Sequence, residues 1–311
     1  MEHVLKIAPC AAAIATTTLF IHASPAVASS DFRWIVPSSA TVVEDVEKNG
    51  RQAKLQYRLS VTRRTSKPSA KMKQLVIGHS QFRFLELPGA DLTDPKVKAV
   101  AKKIERQASA AIPVILVAPG SGRFVGVLGL GEALQRLQKL GALSKEDVVE
   151  LKGQLGNANI RAAVEDEARN VWLCFAGAWR ELKLPIKKSI SRVDKLDVFG
   201  AKIPVDVRIE QRKITDSTVT LRFDGRVPRA KSGPFLKAYN RWMKTLGAPV
   251  DNSLSAVTVR YSCEATLDRK TLMPQWVERR DEVTMHHRDG DKAKPTVVKN
   301  RHTYRFRWER K

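Results

Sequence analysis

Past its leader region the chain has no apolar run approaching the roughly 20 residues that a membrane-spanning helix needs. That shortage argues against a transmembrane helix anywhere in the bulk of the sequence. Cysteine is also scarce, with 3 in 311 residues, so the sequence has room for one intramolecular bridge at most. Acidic residues are outnumbered, 32 against 55 Lys and Arg, leaving a formal net charge of +23. No internal repeat is legible, and no linker interrupts the chain after Gly50.

The first residues read "MEHVLKIAPCAAAIATTTLFIHASPAVASS". Lys6 supplies a short basic start, an alanine-rich apolar run extends from Ile7 to Ile21, and Ala26-Val27-Ala28 matches the small-x-small pattern of a cleavage site. His22 and Pro25 break the run, which favours a removable leader over a permanent anchor. The sequence therefore predicts a signal peptide over residues 1–28, cleaved after Ala28, and a product exported to the periplasm or beyond. Cys10 stands too early to be a lipid-acylation site. A surface this basic attracts polyanions. Outside the cytoplasm these are anionic envelope components such as lipid headgroups, and no nucleic acid partner is expected.

The pattern inside the chain is mainly a period of two. In "KLQYRLSVT", Leu55, Tyr57, Leu59 and Val61 alternate with polar residues. The same rhythm runs through Val205, Val207 and Ile209, through Val219, Leu221 and Phe223, and through Val257 to Leu267. The last such stretch places Cys263 on a buried face and Glu264 in solvent. The C-terminal strand sets His302, Tyr304, Phe306 and Trp308 against Arg301, Arg305 and Arg307. Helical spacing occupies the middle. One helix starts behind Asp94 with an inward face of Val97, Val100, Ala101 and Ile104, and another carries Leu130, Leu134, Leu137 and Leu140. A third begins at a Ser144…Asp147 capping box. A later helix runs from Pro234 to Leu246. These patterns predict an α+β fold: antiparallel sheets, as a curved sheet or open half-barrel, with the helices segregated from them. Residues 29–50, broken by Pro37, read as a loose arm. Residues 51–311 read as one unit, with β-rich halves at 51–130 and 179–311 around a helical segment at 131–178.

Several stretches carry chemical interest, each with a plainer alternative. "GVLGLGEA" opens a helix after a strand, but Leu134 stands where a dinucleotide loop needs its third glycine. "PGSGR" around Ser121 suits a tight hairpin better than a phosphate cradle or nucleophile elbow. In "HHRDGD", His286 and His287 point to opposite faces of a strand and cannot chelate together, and the Asp289-Gly290-Asp291 fragment lacks the other ligands of a calcium loop. His79 and Ser80, as strand neighbours, cannot act as base and nucleophile for a hydrolase. The sequence thus points to no enzyme, no metal and no cofactor. Cys174 and Cys263 are the two cysteines that outlast leader removal; they are candidates for one disulfide, worth about 2–4 kcal/mol in the chain-entropy picture, or else two separate buried thiols.

Two surfaces are candidate binding features. The arginines Arg301, Arg305 and Arg307 form a stripe suited to a polyanion, with a solvated strand face as the alternative. The helix from Pro234 carries Phe235, Lys237, Arg241, Trp242 and Lys244, a composition suited to a membrane surface or to a lid over a sheet.

The run "EDEARNVWLCFAGAW" leads from a helix into β hairpins. In this it resembles uncharacterised exported bacterial proteins whose β-rich domains are similar in layout to envelope lipid-shuttle proteins of the lipoprotein-carrier type. The resemblance extends from about Leu143 onward. It implies a concave apolar sheet roofed by helices, able to hold an acyl chain, and it transfers no functional residue. The function expected from all of this is non-enzymatic binding of a lipid or other amphiphile in the cell envelope. A basic scaffold or polyanion-binding protein is the second reading, and a hydrolase a distant third.

Overall fold

The computed structural model describes residues 21–22, 33–65, 73–156, 161, 165, 168–169, 171–177, 179, 189–198, 201–245, 250, 252–288 and 295–309. The strands are β1 (Ile21–His22), β2 (Ser38–Lys48), β3 (Arg51–Thr65), β4 (Lys73–Glu86), β5 (Val114–Val117), β6 (Phe124–Leu128), β7 (Ile190–Val198), β8 (Ala201–Ile214), β9 (Thr218–Val227), β10 (Leu254–Asp268), β11 (Pro274–His287) and β12 (Thr296–Trp308). They form one antiparallel, unclosed sheet in the order β1-β7-β8-β9-β10-β11-β12-β2-β3-β4-β5-β6, in which β1 is only a two-residue edge. The fold is α+β with a curved sheet, and strands from both β-rich stretches of the sequence share that sheet.

Alternation builds it. Along β9 the burial pattern switches residue by residue, and Val219, Leu221, Phe223 and Val227 are all buried. β10 repeats this from Val259 to Leu267. In-register pairing lines these positions up: Cys263 lies opposite Phe223 on one side and Arg279 on the other. One face of the sheet therefore becomes a continuous inner wall.

The helices are α1 (Pro95–Ala111), α2 (Leu130–Lys139), α3 (Lys145–Gly156) and α4 (Gly233–Thr245). Asp94 caps α1 by accepting a hydrogen bond from the Lys96 amide, with Pro95 in the first turn. Ser144 and Asp147 form the reciprocal capping box: each backbone N–H donates to the other's side chain, at 2.8 and 3.0 Å. The inward face of α1 differs from the sequence pattern. Val100 and Ile104 are exposed, while Ala101, Gln107 and Ala110 are buried. Small side chains make the close contact there, and the larger aliphatic row lies to one side.

Among the described residues, aromatic side chains pack against the inner face of the sheet. A π-helical turn, Leu173–Gly177, packs on β10 and β11. Phe175 meets Tyr304 and Phe306 edge-on, each at 5.0 Å between ring centres. Trp179 stands edge-on to Phe223 at 6.5 Å. Trp172 is fully buried, packs against Trp34 at 5.2 Å, and donates its indole N–H to the Gly122 carbonyl at 2.8 Å. Where the described residues cover the inner face, aromatic side chains stand in the place expected for an acyl chain.

The stretch read as a loose arm contains β2, which pairs with β12 on one side and β3 on the other. Its alternation was masked because Glu44 takes an inner position between Val42 and Val46. Its partner, His302, lies 258 residues away, with Nδ1 2.8 Å from Glu44 Oε1.

Candidate binding groove

Among the described residues, an open groove lies on the other side of the sheet. There the outward residues of β7 to β12, with the β2–β3 turn, line an open groove of about 1340 Å³. Five strand-to-strand steps separate β7 from β12, which at ~4.8 Å each is about 24 Å.

Register dictates what the groove presents. One row across the sheet is Val193, Asp206, Arg226, Arg260, Glu282 and Lys299. The next is Ser191, Arg208, Asp224, Ser262, Arg280 and Arg301, ending on Glu47. Between these rows, Val207, Gly225, Tyr261, Asp281 and Asn300 turn their side-chain positions inward. The Tyr261 ring lies over Gly225: a Cβ built there would stand 2.0 Å from Tyr261 Cε1. The glycine thus makes room for a cross-strand aromatic.

The rows are interlaced by ion pairs. Asp224 accepts two hydrogen bonds from Arg222 Nε and Nη2, each at 2.9 Å. Glu278 takes Arg280 at 2.7 Å and Arg301 at 2.5 Å. Glu210 takes Arg212 at 2.6 Å and Arg208 at 3.4 Å. Asp206 is held by Lys231 at 2.9 Å, and Glu282 by Lys299 at 3.4 Å. Two carboxylates are thus each shared by a pair of arginines, and two more are bound to lysines. Arg226 and Arg260, opposite each other on the groove floor, make no ion pair among the described residues. Val193 and Val297 stand exposed at the β7 and β12 ends.

The inner face holds polar chemistry of its own. Arg279 and Asp281, two residues apart on β11, share the buried wall with Arg279 Nη2 2.8 Å from Asp281 Oδ2. Side-chain exposures of 2% and 4% make this a buried ion pair. Burial, with a smaller push from Glu44, raises the Tyr57 and Tyr304 phenols well above their ordinary range. The His79 ring lies tilted against Tyr57, 5.5 Å between ring centres, and burial lowers its pKa to about 4. It stays neutral and apolar-facing, while Ser80 is exposed on the opposite side of β4. Cys174 and Cys263 are buried free thiols brought together by the π-turn and β10, with Cys263 Sγ 3.9 Å from the Cys174 carbonyl. Hydrogen bonding to Cys174 and then burial raise the Cys263 thiol well above its usual value, so it is held protonated and is a poor nucleophile.

The other sequence candidates fall into place. Arg301 is bound to Glu278 and Arg305 to Asp45, while Arg307 is exposed with no ion pair among the described residues. On α4, Phe235 does not face outward: it is buried in the core, as a lid requires, while Lys237, Arg241 and Lys244 are exposed. The side chain of Trp242 lies outside the described residues. "PGSGR" is the β5–β6 turn, in which Gly122 adopts a positive φ of 64° and Ser121 Oγ accepts from the Arg123 amide. Gly129 precedes α2 with φ 80° and no side-chain cap. His287 Nδ1 lies 2.9 Å from Ser253 Oγ, and residues 289–291 of the "HHRDGD" run are outside the described set. No group of three or more metal-ligating side chains occurs among the described residues, and no described helix is long and apolar enough to cross a membrane. The groove itself escaped the sequence because six strands and a turn contribute to it; the one signal in the text was alternate charged residues on strands as far apart as Asp206 and Arg301.

No family model matches the sequence, and no curated protein matches it. Among solved structures it is similar to a chain described as "lipid-protein interactions in lipovitellin", with a TM-score of 0.35 and 8% identity over 88% of this chain. This chain spans about a quarter of that protein's length, the match covering 25% of it. A superposition at that score establishes no shared fold.

Proposed function

We propose that this chain is a non-catalytic, exported cell-envelope protein that binds an amphiphile in the groove on the solvent face of its sheet. The observation that carries the reading is the groove itself. At about 1340 Å³ it exceeds the ~300–1,000 Å³ of common small-molecule pockets. It runs across strands whose geometry the rest of the fold fixes. Its floor joins charged tips to the apolar stems of arginines, which cover surface with methylene groups, and its ends carry exposed valines. The leader-like first 28 residues and the charge of +23 support a site of action among anionic envelope components. The polyanion reading through Arg301, Arg305 and Arg307 has less support, since an incoming anion would compete with Glu278 and Asp45 for two of the three.

Native mass spectrometry of the protein purified from its own envelope tests the reading. A co-purifying amphiphile is expected, and Ser262→Trp, which fills the groove floor, should abolish it while leaving the circular dichroism spectrum unchanged. Retention of the ligand by that variant would remove the groove from consideration.

A further inference from the structure

We infer that Arg226 and Arg260 form an anion subsite that receives the negatively charged headgroup of the amphiphile; this rests on the groove reading above. The argument begins with register. Arg226 and Arg260 are directly paired across β9 and β10, with Asp206 beside the first and Glu282 beside the second. That order should give two alternating ion pairs. Instead each carboxylate is drawn to a lysine beyond it, Asp206 to Lys231 and Glu282 to Lys299. Both guanidiniums are left exposed, side by side on the groove floor. Like charges directly opposite each other in a sheet are unfavourable. An anion seated between them removes that repulsion, and guanidinium forks match the oxygens of a phosphate in pairs. Elsewhere on this face arginines crowd around carboxylates, two on Glu278 and two on Glu210. The Arg226–Arg260 pair lacks such a counter-ion among the described residues. Its position at mid-groove, with Val193 and Val297 at either end, suits a molecule with a charged group and an apolar extension. We assign that molecule as an anionic phospholipid.

The test uses flotation of the full mature chain with two kinds of vesicle, phosphatidylcholine alone and phosphatidylcholine containing phosphatidylglycerol. Arg226→Gln with Arg260→Gln changes two exposed residues and should leave the fold intact. The double variant should bind the anionic vesicles at least about tenfold more weakly. Arg305→Gln with Arg307→Gln, an equal charge change outside the groove, should shift binding by about twofold or less, as screened surface charge does. Equal losses in both double variants, or no loss in the first, overturn the subsite. Saturable binding of inorganic phosphate that needs both arginines, without vesicle binding, overturns its assignment to a lipid. Binding of both vesicle types that Ser262→Trp abolishes and the arginine changes leave alone keeps the groove and removes only the subsite. If no vesicle and no detergent-solubilised lipid binds at all, the groove reading itself falls.

Discussion

The two faces of the sheet use the same charged side chains to opposite ends. On the inner face, Arg279 and Asp281 are sealed from solvent and paired with each other within the core wall. On the outer face, Glu278 serves Arg280 and Arg301, Glu210 serves Arg208 and Arg212, and Asp224 holds Arg222, so that one carboxylate often serves two solvent-facing arginines. Burying charge costs several kcal/mol per ion, which attraction offsets only when the partner is present. Exposed pairs gain little and lose little. The inner pair is therefore structural and intolerant of change, while the outer lattice is adjustable. A ligand can rearrange the second without threatening the first.

The largest expected effect comes from breaking the inner pair. Asp281→Ala should destabilise the protein by about 3–5 kcal/mol, because buried Arg279 loses its carboxylate partner. Replacing both members, Arg279→Met with Asp281→Leu, should recover most of that loss; urea denaturation of the two variants reads the difference. Next comes the neutral His79. Its folded-state pKa lies near 4, below the ordinary 6.5. Stability is thus fully present above pH 6.5 and is lost as pH falls toward 4, since the unfolded chain takes up the proton first. The loss across that window should be about 3 kcal/mol. His79→Leu should flatten the urea midpoint against pH by that amount.

A smaller effect is expected at Gly225. A methyl group there meets the Tyr261 ring, so Gly225→Ala should cost about 1–3 kcal/mol. The cost should shrink in a Tyr261→Leu background, which a double-mutant cycle measures. On the outer face, Asp206→Asn removes the partner of Lys231 and should cost less than about 1 kcal/mol, falling further in high salt. A large loss there would erase the contrast between the faces.

Much of the sheet was readable in the sequence because a period of two needs only local information. β8, β9, β10 and β12 announce themselves through uninterrupted rows such as Val205, Val207 and Ile209. β2 does not, because its inner row includes Glu44, and the group that accepts this charge, His302, is remote in sequence. β11 hides its inner pair for a similar reason: "ERRDE" reads as a solvent-facing run, yet Arg279 and Asp281 share the buried parity with Val277. The helix capping of Asp94 and Ser144 was legible to the residue, since caps are local chemistry. Which face of α1 would be buried was not, because that depends on β4 and α2, against which it packs. The groove lies furthest from the text. It exists only once β7 to β12 are in register beside the β2–β3 turn.

The seam between β2 and β12 has a further consequence. Ala40 pairs with Trp308 and Lys48 with Asn300, so the first long strand to be synthesised waits for the last one before the middle of the sheet can close. Loop closure over such separations makes folding slow. Until β12 arrives, the strands from β2 to β6 and those from β7 to β11 remain two unjoined panels with bare edges, each open to a wrong neighbour. A polypeptide built this way keeps its two halves apart until that single seam between β2 and β12 zips shut.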